Sequence, residues 1–267
     1  MSEQKASPGG VDGIVRYSSD GAIARVAFDR PHAHNAMTWS MYEQLECICA
    51  KIRADSSIRA VAFAGVGGKA FIAGTDIAQF RNFASAEDGA AYEKRVEKFV
   101  QAVDTLPIPT LAVVEGWCVG GGLAIASACD LRVATPSARF GVPIARTLGN
   151  CLAAGVYARL LAEFGVGRAK RMLLLSEMLT AEEAREAGFL SHVVEPNELS
   201  GRVDDMLDRL AHHAPITMRV TKEAIRRVLT AMPVEDDDLI REAYGSEDFR
   251  AGVQAFVEKR KPEWRGR

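Results

Sequence analysis

The chain has 267 residues, 48% hydrophobic and 25% charged, which suffices for one large domain or two smaller ones around a sizeable core. Its formal net charge of -2 and pI near 6.2 exclude nucleic-acid or anionic-membrane binding by bulk electrostatics. No run of about 18 uncharged apolar residues is present, and the N-terminal MSEQKASPGG has no apolar h-region, so a cytoplasmic protein is expected.

In chain order, residues 1–12 read as a flexible tail. Residues 14–17 and 22–28 flank Ser18-Ser19-Asp20-Gly21 and predict a β-hairpin. Arg30-Pro31 ends the second strand, and Thr38 is a candidate N-cap for a helix carrying Met41, Leu45, Ile48 and Ile52 on one face. Cys47 and Cys49 lie two apart on that helix; with Cys118, Cys129 and Cys151 they form no C-x-x-C and are expected as buried free thiols. Histidines at 32, 34, 192, 212 and 213 are read as having no acid at helical i, i+4 spacing, so no metal is expected. Residues 60–64 read as a buried strand, Gly67-Gly68 as a turn, Phe71-Ile72 as apolar, and Ala73-Gly74-Thr75-Asp76 as a tight bend. A helical period then runs through Tyr92, Val96, Phe99, Val100 and Val103, and Pro107 and Pro109 stop it.

Residues 110–135, TLAVVEGWCVGGGLAIASACDLRVAT, read as strand, glycine turn, buried helix and strand, with Trp117 and Cys118 expected in the wall or core. Three adjacent glycines at a helix entry cost backbone entropy. The first helix amides lack internal partners and sit at the positive end of the helix dipole. The bare backbone at Gly120, Gly121 and Gly122 therefore reads either as an anion or oxyanion site or as a tight strand–helix junction. Residues 138–144 predict a turn, followed by helices over 152–163 and 167–175. Thr180 and Glu183 form a capping box closed by Gly188, and 192–194 is a last strand. Beyond 196 only helices are expected, at 198–213, 216–229 and 235–244, with a final one ending near Arg260. No fixed-period repeat is visible.

Taken together, FIAGTDI at 71–77 and GGG at 120–122, each after a strand, make the chain resemble the enoyl-CoA hydratase/isomerase or crotonase family from about residue 12 onward. The resemblance implies an α/β fold: a spiral of repeated ββα units over 13–195 and a C-terminal helical region over 196–267 that packs on the spiral and on neighbouring subunits. It implies that the backbone amides of Thr75 and Gly121 form an oxyanion hole. RPHAHNAM resembles the segment beside the family's coenzyme A site, and AFVEKRKPEWRG its C-terminal pattern. These imply CoA contacts from Arg30, His32, Ala73, Asp76, Ile77, Phe256 and Lys259, and a homotrimer or a hexamer built as a dimer of trimers.

Two backbone donors suit a CoA thioester, because removing a proton alpha to it, or adding a nucleophile at beta, puts negative charge on its carbonyl oxygen. That chemistry calls for no cofactor beyond the substrate's own CoA. The family's hydratases hold water with two glutamates, and those positions are Ala124 and Ile144 in this chain. Alanine and isoleucine cannot activate water, and general acid–base assistance of roughly 100- to 10,000-fold goes with the carboxylates. Asp76, Arg146, Thr147, Asn150 and Cys151 remain as candidate acyl-pocket or acid–base groups; the alternatives are a loop cap at Asp76 and a plain polar turn at the other four. The expected activity is nominally hydration or dehydration of a 2-enoyl-CoA in fatty-acid metabolism, a lyase reaction. The alternatives are isomerisation, decarboxylation or thioester hydrolysis, or acyl-CoA binding with little turnover.

Overall fold

In the computed structural model, which describes residues 12–231 and 235–267, the chain opens with the predicted hairpin. The tail expected over 1–12 lies, Asp12 apart, outside the described residues. β1 (Ile14–Asp20) and β2 (Ile23–Asp29) pair antiparallel through Asp20 and Ile23. The turn is therefore only Gly21-Ala22, with Gly21 at φ 55°, and Ser18 to Asp20, expected in the turn, belong to β1. Thr38 caps α1 (Trp39–Ala54): its hydroxyl accepts from Met41 N at 3.3 Å and donates to Asp12 O at 2.7 Å.

Each following pass lays down two strands and a helix. β3 (Ala60–Gly65) and β4 (Ala70–Ala73) lead through a 3-10 segment (Ile77–Asn82) to α2 (Ala86–Asp104). β5 (Thr110–Val114) and β6 (Trp117–Val119) lead to α3 (Gly121–Ala128). β7 (Leu131–Ala134) and β8 (Arg139–Gly141) lead to α4 (Ile144–Thr147) and α5 (Ala154–Leu174). The first strand of each pass joins a six-stranded sheet in the order β1-β2-β3-β5-β7-β10, parallel apart from the hairpin, with β10 at His192–Val193. The second strands form a smaller sheet, β4-β6-β8-β9, with β9 (Leu179–Thr180) antiparallel to β8. The chain is thus a mixed α/β spiral of ββα units. Residues 139–141, expected in a turn, are a strand, and Trp117 is 43% exposed rather than in the core, while Cys118 is fully buried.

Alternation explains both faces of the larger sheet. Val61 and Phe63 face the main core, while Ala60 and Ala62 join Leu111, Val113 and Val133 under Leu199, Val203, Met206 and Leu207 of α7 (Pro196–His212). The two helices expected on either side of residue 165 form as such: α5 breaks at Gly165, whose φ 70° and ψ 161° are non-helical. Thr180 and Glu183 form the expected reciprocal capping box on α6 (Ala181–Glu186), with Thr180 Oγ1 accepting from Glu183 N at 3.2 Å. Thr180→Ala should cost about 1 kcal/mol of stability in chemical unfolding.

The C-terminal helices are α8 (Pro215–Leu229), α9 (Asp237–Gly245) and α10 (Glu247–Val257). α9 lies along α2 because Gly89 leaves room for Tyr244: a Cβ there would stand 2.1 Å from the Tyr244 ring. α8 buries none of its residues and leaves Ile216, Val220, Ile225, Val228 and Leu229 exposed. Among the described residues no helix is long and apolar enough to cross a membrane.

Candidate active site

Asn35 organises the loop after β2. Fully buried and at φ 58°, it accepts from Arg30 N (2.9 Å) and donates to Val66 O (3.0 Å) and Ala70 O (2.8 Å). The chain beyond it is held against the bend after β4: Met37 N donates to Gly74 O and Asp76 N to Met37 O, both at 2.9 Å. Gly74 and Asp76 thus turn towards Met37, and the N–H and C=O of Thr75 between them turn the other way, as alternation in extended backbone requires. No protein acceptor for the Thr75 amide is found among the described residues.

On that side stands the N-terminus of α3. Gly120 adopts φ 54°, ψ -120°, a conformation open to glycine, and its amide donates to Gly141 O at 3.0 Å. The first helical bond runs from Ala124 N to Gly120 O, so the amides of Gly121, Gly122 and Leu123 have no acceptor within the helix. A Cβ on Gly122 would lie 2.2 Å from Ile72 O, so α3 can sit on β4 only with glycine there. A Cβ on Gly121 would lie 2.7 Å from Tyr42 Oη, 3.3 Å from Thr75 Oγ1 and 3.9 Å from Thr75 N. The amides of Thr75 and Gly121, 46 positions apart in the chain, are therefore neighbours. The tight-junction reading of the glycine run holds at Gly122, while the Gly121 amide has no acceptor among the described residues.

Two tyrosines meet at the Thr75 side chain. Tyr42 Oη is 2.9 Å from Thr75 Oγ1, which is 2.8 Å from Tyr92 Oη. Tyr42 stacks on Phe99 with centroids 5.2 Å apart, and Tyr92 meets Phe80 edge-on at 4.8 Å and Trp39 at 5.6 Å. Phe83, Tyr244 and Phe249 continue this aromatic wall. Burial pushes the Tyr42 phenol up to about 12 and the Tyr92 phenol well above its usual range, so both keep their protons at neutral pH.

Ala124 is buried and Ile144, the first residue of α4, is half-buried; neither side chain has a carboxylate. Asp76 is committed elsewhere: one oxygen caps the 3-10 segment through Ala78 N (3.0 Å), and the other pairs with Arg30 at 2.8 Å. Arg146 points into solvent, and Thr147 donates to Pro143 O at 2.9 Å. Asn150 Nδ2 donates to Tyr244 Oη (3.2 Å) and Cys151 O (3.3 Å), while its Oδ1 is buried without a partner. The Cys151 thiol is pushed up to about 12 by burial, with Glu93 and Asp236 adding to the shift, so it is no thiolate nucleophile at neutral pH.

Arg30, Ala73, Asp76 and Ile77 come together through the Arg30–Asp76 pair and the Ala73 N bond to His34 O (3.0 Å). The Arg30 side chain is largely buried and also donates to Ala36 O at 3.1 Å, so it braces the loop; His32 stands exposed on a 3-10 turn. Phe256 and Lys259 are exposed at the far end of α10, and no hydrogen bond or ion pair joins them to that loop among the described residues.

Sequence reasoning missed Glu93. It is 4% exposed, accepting from Tyr244 Oη at 2.5 Å and from Ala153 N at 2.9 Å. Desolvation pushes its carboxyl up to about 7 against the pull of those two hydrogen bonds. The signal was present: Glu93, Val96, Val100 and Val103 share the 3-4-3 spacing of one helix face.

A cavity of 1030 Å³ lies at the opposite end of α3, between α2, α5, α8 and α9, and its lining includes neither Thr75 nor Gly121. Its charges largely pair internally, as Arg159 with Glu97 (3.2 Å) and Lys222 with Asp130 (2.7 Å). No cluster of three or more metal-ligating side chains occurs among the described residues; the exposed His212–Asp208 pair, one turn apart on α7 at 3.4 Å, corrects the expectation that no histidine has an acid at that spacing.

The neighbouring, acceptor-free amides of Thr75 and Gly121 lie in a mixed α/β spiral of a known group. The family model for enoyl-CoA hydratase/isomerase matches residues 18–267, and the chain belongs to that family. It is 32% identical over 254 residues to the short-chain-enoyl-CoA hydratase of Clostridium acetobutylicum, covering 93% of this chain and 96% of that protein. It is 34% identical over 250 residues to the (E)-benzylidenesuccinyl-CoA hydratase of Thauera aromatica, covering 91% and 96%. Among solved structures, methylmalonyl-CoA decarboxylase in complex with 2-nitronate-propionyl-CoA superimposes with a TM-score of 0.87 at 26% identity, over 95% of this chain and 98% of that one.

Proposed function

We propose that this acyl-CoA-processing enzyme binds its substrate with the thioester oxygen between the Thr75 and Gly121 amides and stabilises the enolate formed there. The observation that carries this reading is the meeting of two backbone donors without protein acceptors at a glycine-bared helix start. Each such donor contributes on the order of 3 kcal/mol to the transition state. The substrate's own CoA is the only cofactor this chemistry calls for.

Ala124 and Ile144 argue against water addition as the main reaction, since neither can hold or deprotonate water. Loss of carbon dioxide from a 2-carboxyacyl-CoA is a specific second reading, supported by the likeness to methylmalonyl-CoA decarboxylase. In it the bond from Cα to the carboxylate breaks, its electron pair passes into the thioester enolate, carbon dioxide leaves, and a proton from solvent then adds at Cα. Beyond the enolate site it needs no activated water.

Purified protein incubated with crotonyl-CoA and, separately, methylmalonyl-CoA should give loss of carbon dioxide by mass from the second. Hydration of the first should be slower than that of a hydratase with both glutamates by about 100-fold or more. Rapid gain of water on crotonyl-CoA would overturn the argument from Ala124 and Ile144. The exposed apolar residues of α8 support a homotrimer or a dimer of trimers, which light scattering would read directly.

A further inference from the structure

The hydroxyls of Tyr42, Thr75 and Tyr92 carry three protons, yet they make two hydrogen bonds, both centred on Thr75 Oγ1. None of the three makes another side-chain hydrogen bond among the described residues, so whichever way the chain points, one proton is left over. A phenol is the stronger acid and an aliphatic hydroxyl the better acceptor, so the favoured arrangement has both phenols donating to Thr75. That leaves the Thr75 proton free, on the residue whose amide already faces Gly121. Tyr42 and Tyr92 are buried, the first stacked on Phe99 and the second edge-on to Phe80, so neighbouring rings hold both oxygens at Thr75.

We propose that the Thr75 side chain is a third oxyanion donor: Thr75 presents both its N–H and its O–H to the bound acyl group, with Tyr42 and Tyr92 as positioning residues that fix the hydroxyl. This rests on the enolate reading above. The raised phenol pKa values agree with it, since both rings act as fixed donors and not as bases. The ligand it favours is an acyl-CoA with negative charge on an oxygen at the thioester carbon or the atom beside it, and the neutral thioester gains less.

The test compares two probes by calorimetry on the full chain: free CoA, and an acyl-CoA analogue bearing a nitronate in place of the enolate. Thr75→Val removes the hydroxyl and keeps the shape and the amide; it should weaken nitronate binding about 10- to 100-fold, as for a hydrogen bond to a charged group, with CoA binding unchanged. Thr75→Ser restores the hydroxyl and should recover affinity to within about 3-fold of wild type. Should Thr75→Val fold poorly by thermal unfolding, the smaller Thr75→Ala carries the same expectation. Wild-type nitronate affinity in the Val or Ala variant, or an equal loss in Thr75→Ser, would overturn the third donor. If the wild-type protein itself shows no preference for the nitronate over CoA, the enolate reading falls instead.

Discussion

Gly121→Ala should lower turnover on any substrate that passes through a thioester enolate by about 100- to 1,000-fold while the chain stays folded. The Gly121 backbone lies outside the left-handed region, so alanine is conformationally acceptable. Its methyl would stand 2.7 Å from Tyr42 Oη and 3.3 Å from Thr75 Oγ1. Tyr42 is held between Phe99 and Thr75, so relief comes from shifting the first turn of α3 away from Thr75, and that separates the two donors. A displacement of about 1 Å suffices to lose the rate. Gly122→Ala is the contrast: there the methyl meets the carbonyl oxygen of Ile72 at 2.2 Å, backbone against backbone, and α3 must lift off β4. That variant should lose several kcal/mol of stability, more than the usual overpacking cost of about 1–3 kcal/mol. Steady-state rates and unfolding midpoints measured together separate the two effects; Gly121→Ala active within 2-fold of wild type would remove Gly121 from the reaction.

The parts of this molecule that were legible in the sequence are those written in local periodicity. β3, α2, the strand–glycine–helix run and the α6 capping box appear where their apolar spacing and caps put them. β6 and β8 were not legible, because three residues are too few to show an alternation, and their hydrogen-bond partners lie in one another and in β4. The two amides of the candidate site were named by resemblance, since each sits in a short motif. Their surroundings were not: Tyr42 and Tyr92 reach Thr75 from 33 and 17 positions away on two different helices. Each looks in sequence like one more core aromatic. Asp76 and Arg30 add a second case: an acid beside a donor and a base after a strand suggest chemistry and phosphate binding, and spacing gives no hint that a 2.8 Å ion pair also joins them across two loops. Which polar groups are already committed is a long-range property, and sequence spacing does not carry it.

Glu93 is where that buried polarity has a measurable consequence for stability. Its carboxyl titrates near 7 in the folded chain against 4.5 ordinarily, with burial as the leading cause. Below about pH 4.5 folded and unfolded chains both hold the proton and stability is at its full value. Between about 4.5 and 7 the unfolded chain has released the proton and the folded one retains it, so stability falls as pH rises; above about 7 the loss is constant. At about 1.4 kcal/mol per pH unit the difference amounts to something on the order of 3 kcal/mol. Glu93→Gln should abolish this slope, because an amide resembles the protonated acid: its oxygen can accept from Ala153 N while its NH2 donates to Tyr244 Oη. Tyr244 is then free to donate towards Asn150, whose Oδ1 lacks a partner in its present orientation. Chemical unfolding of both proteins at a series of pH values gives the test as a difference curve. The variant should match the wild type near pH 4.5 and exceed it increasingly up to about pH 7; parallel curves would mean that Glu93 is already ionised in its buried site, held by Tyr244 and Ala153 alone.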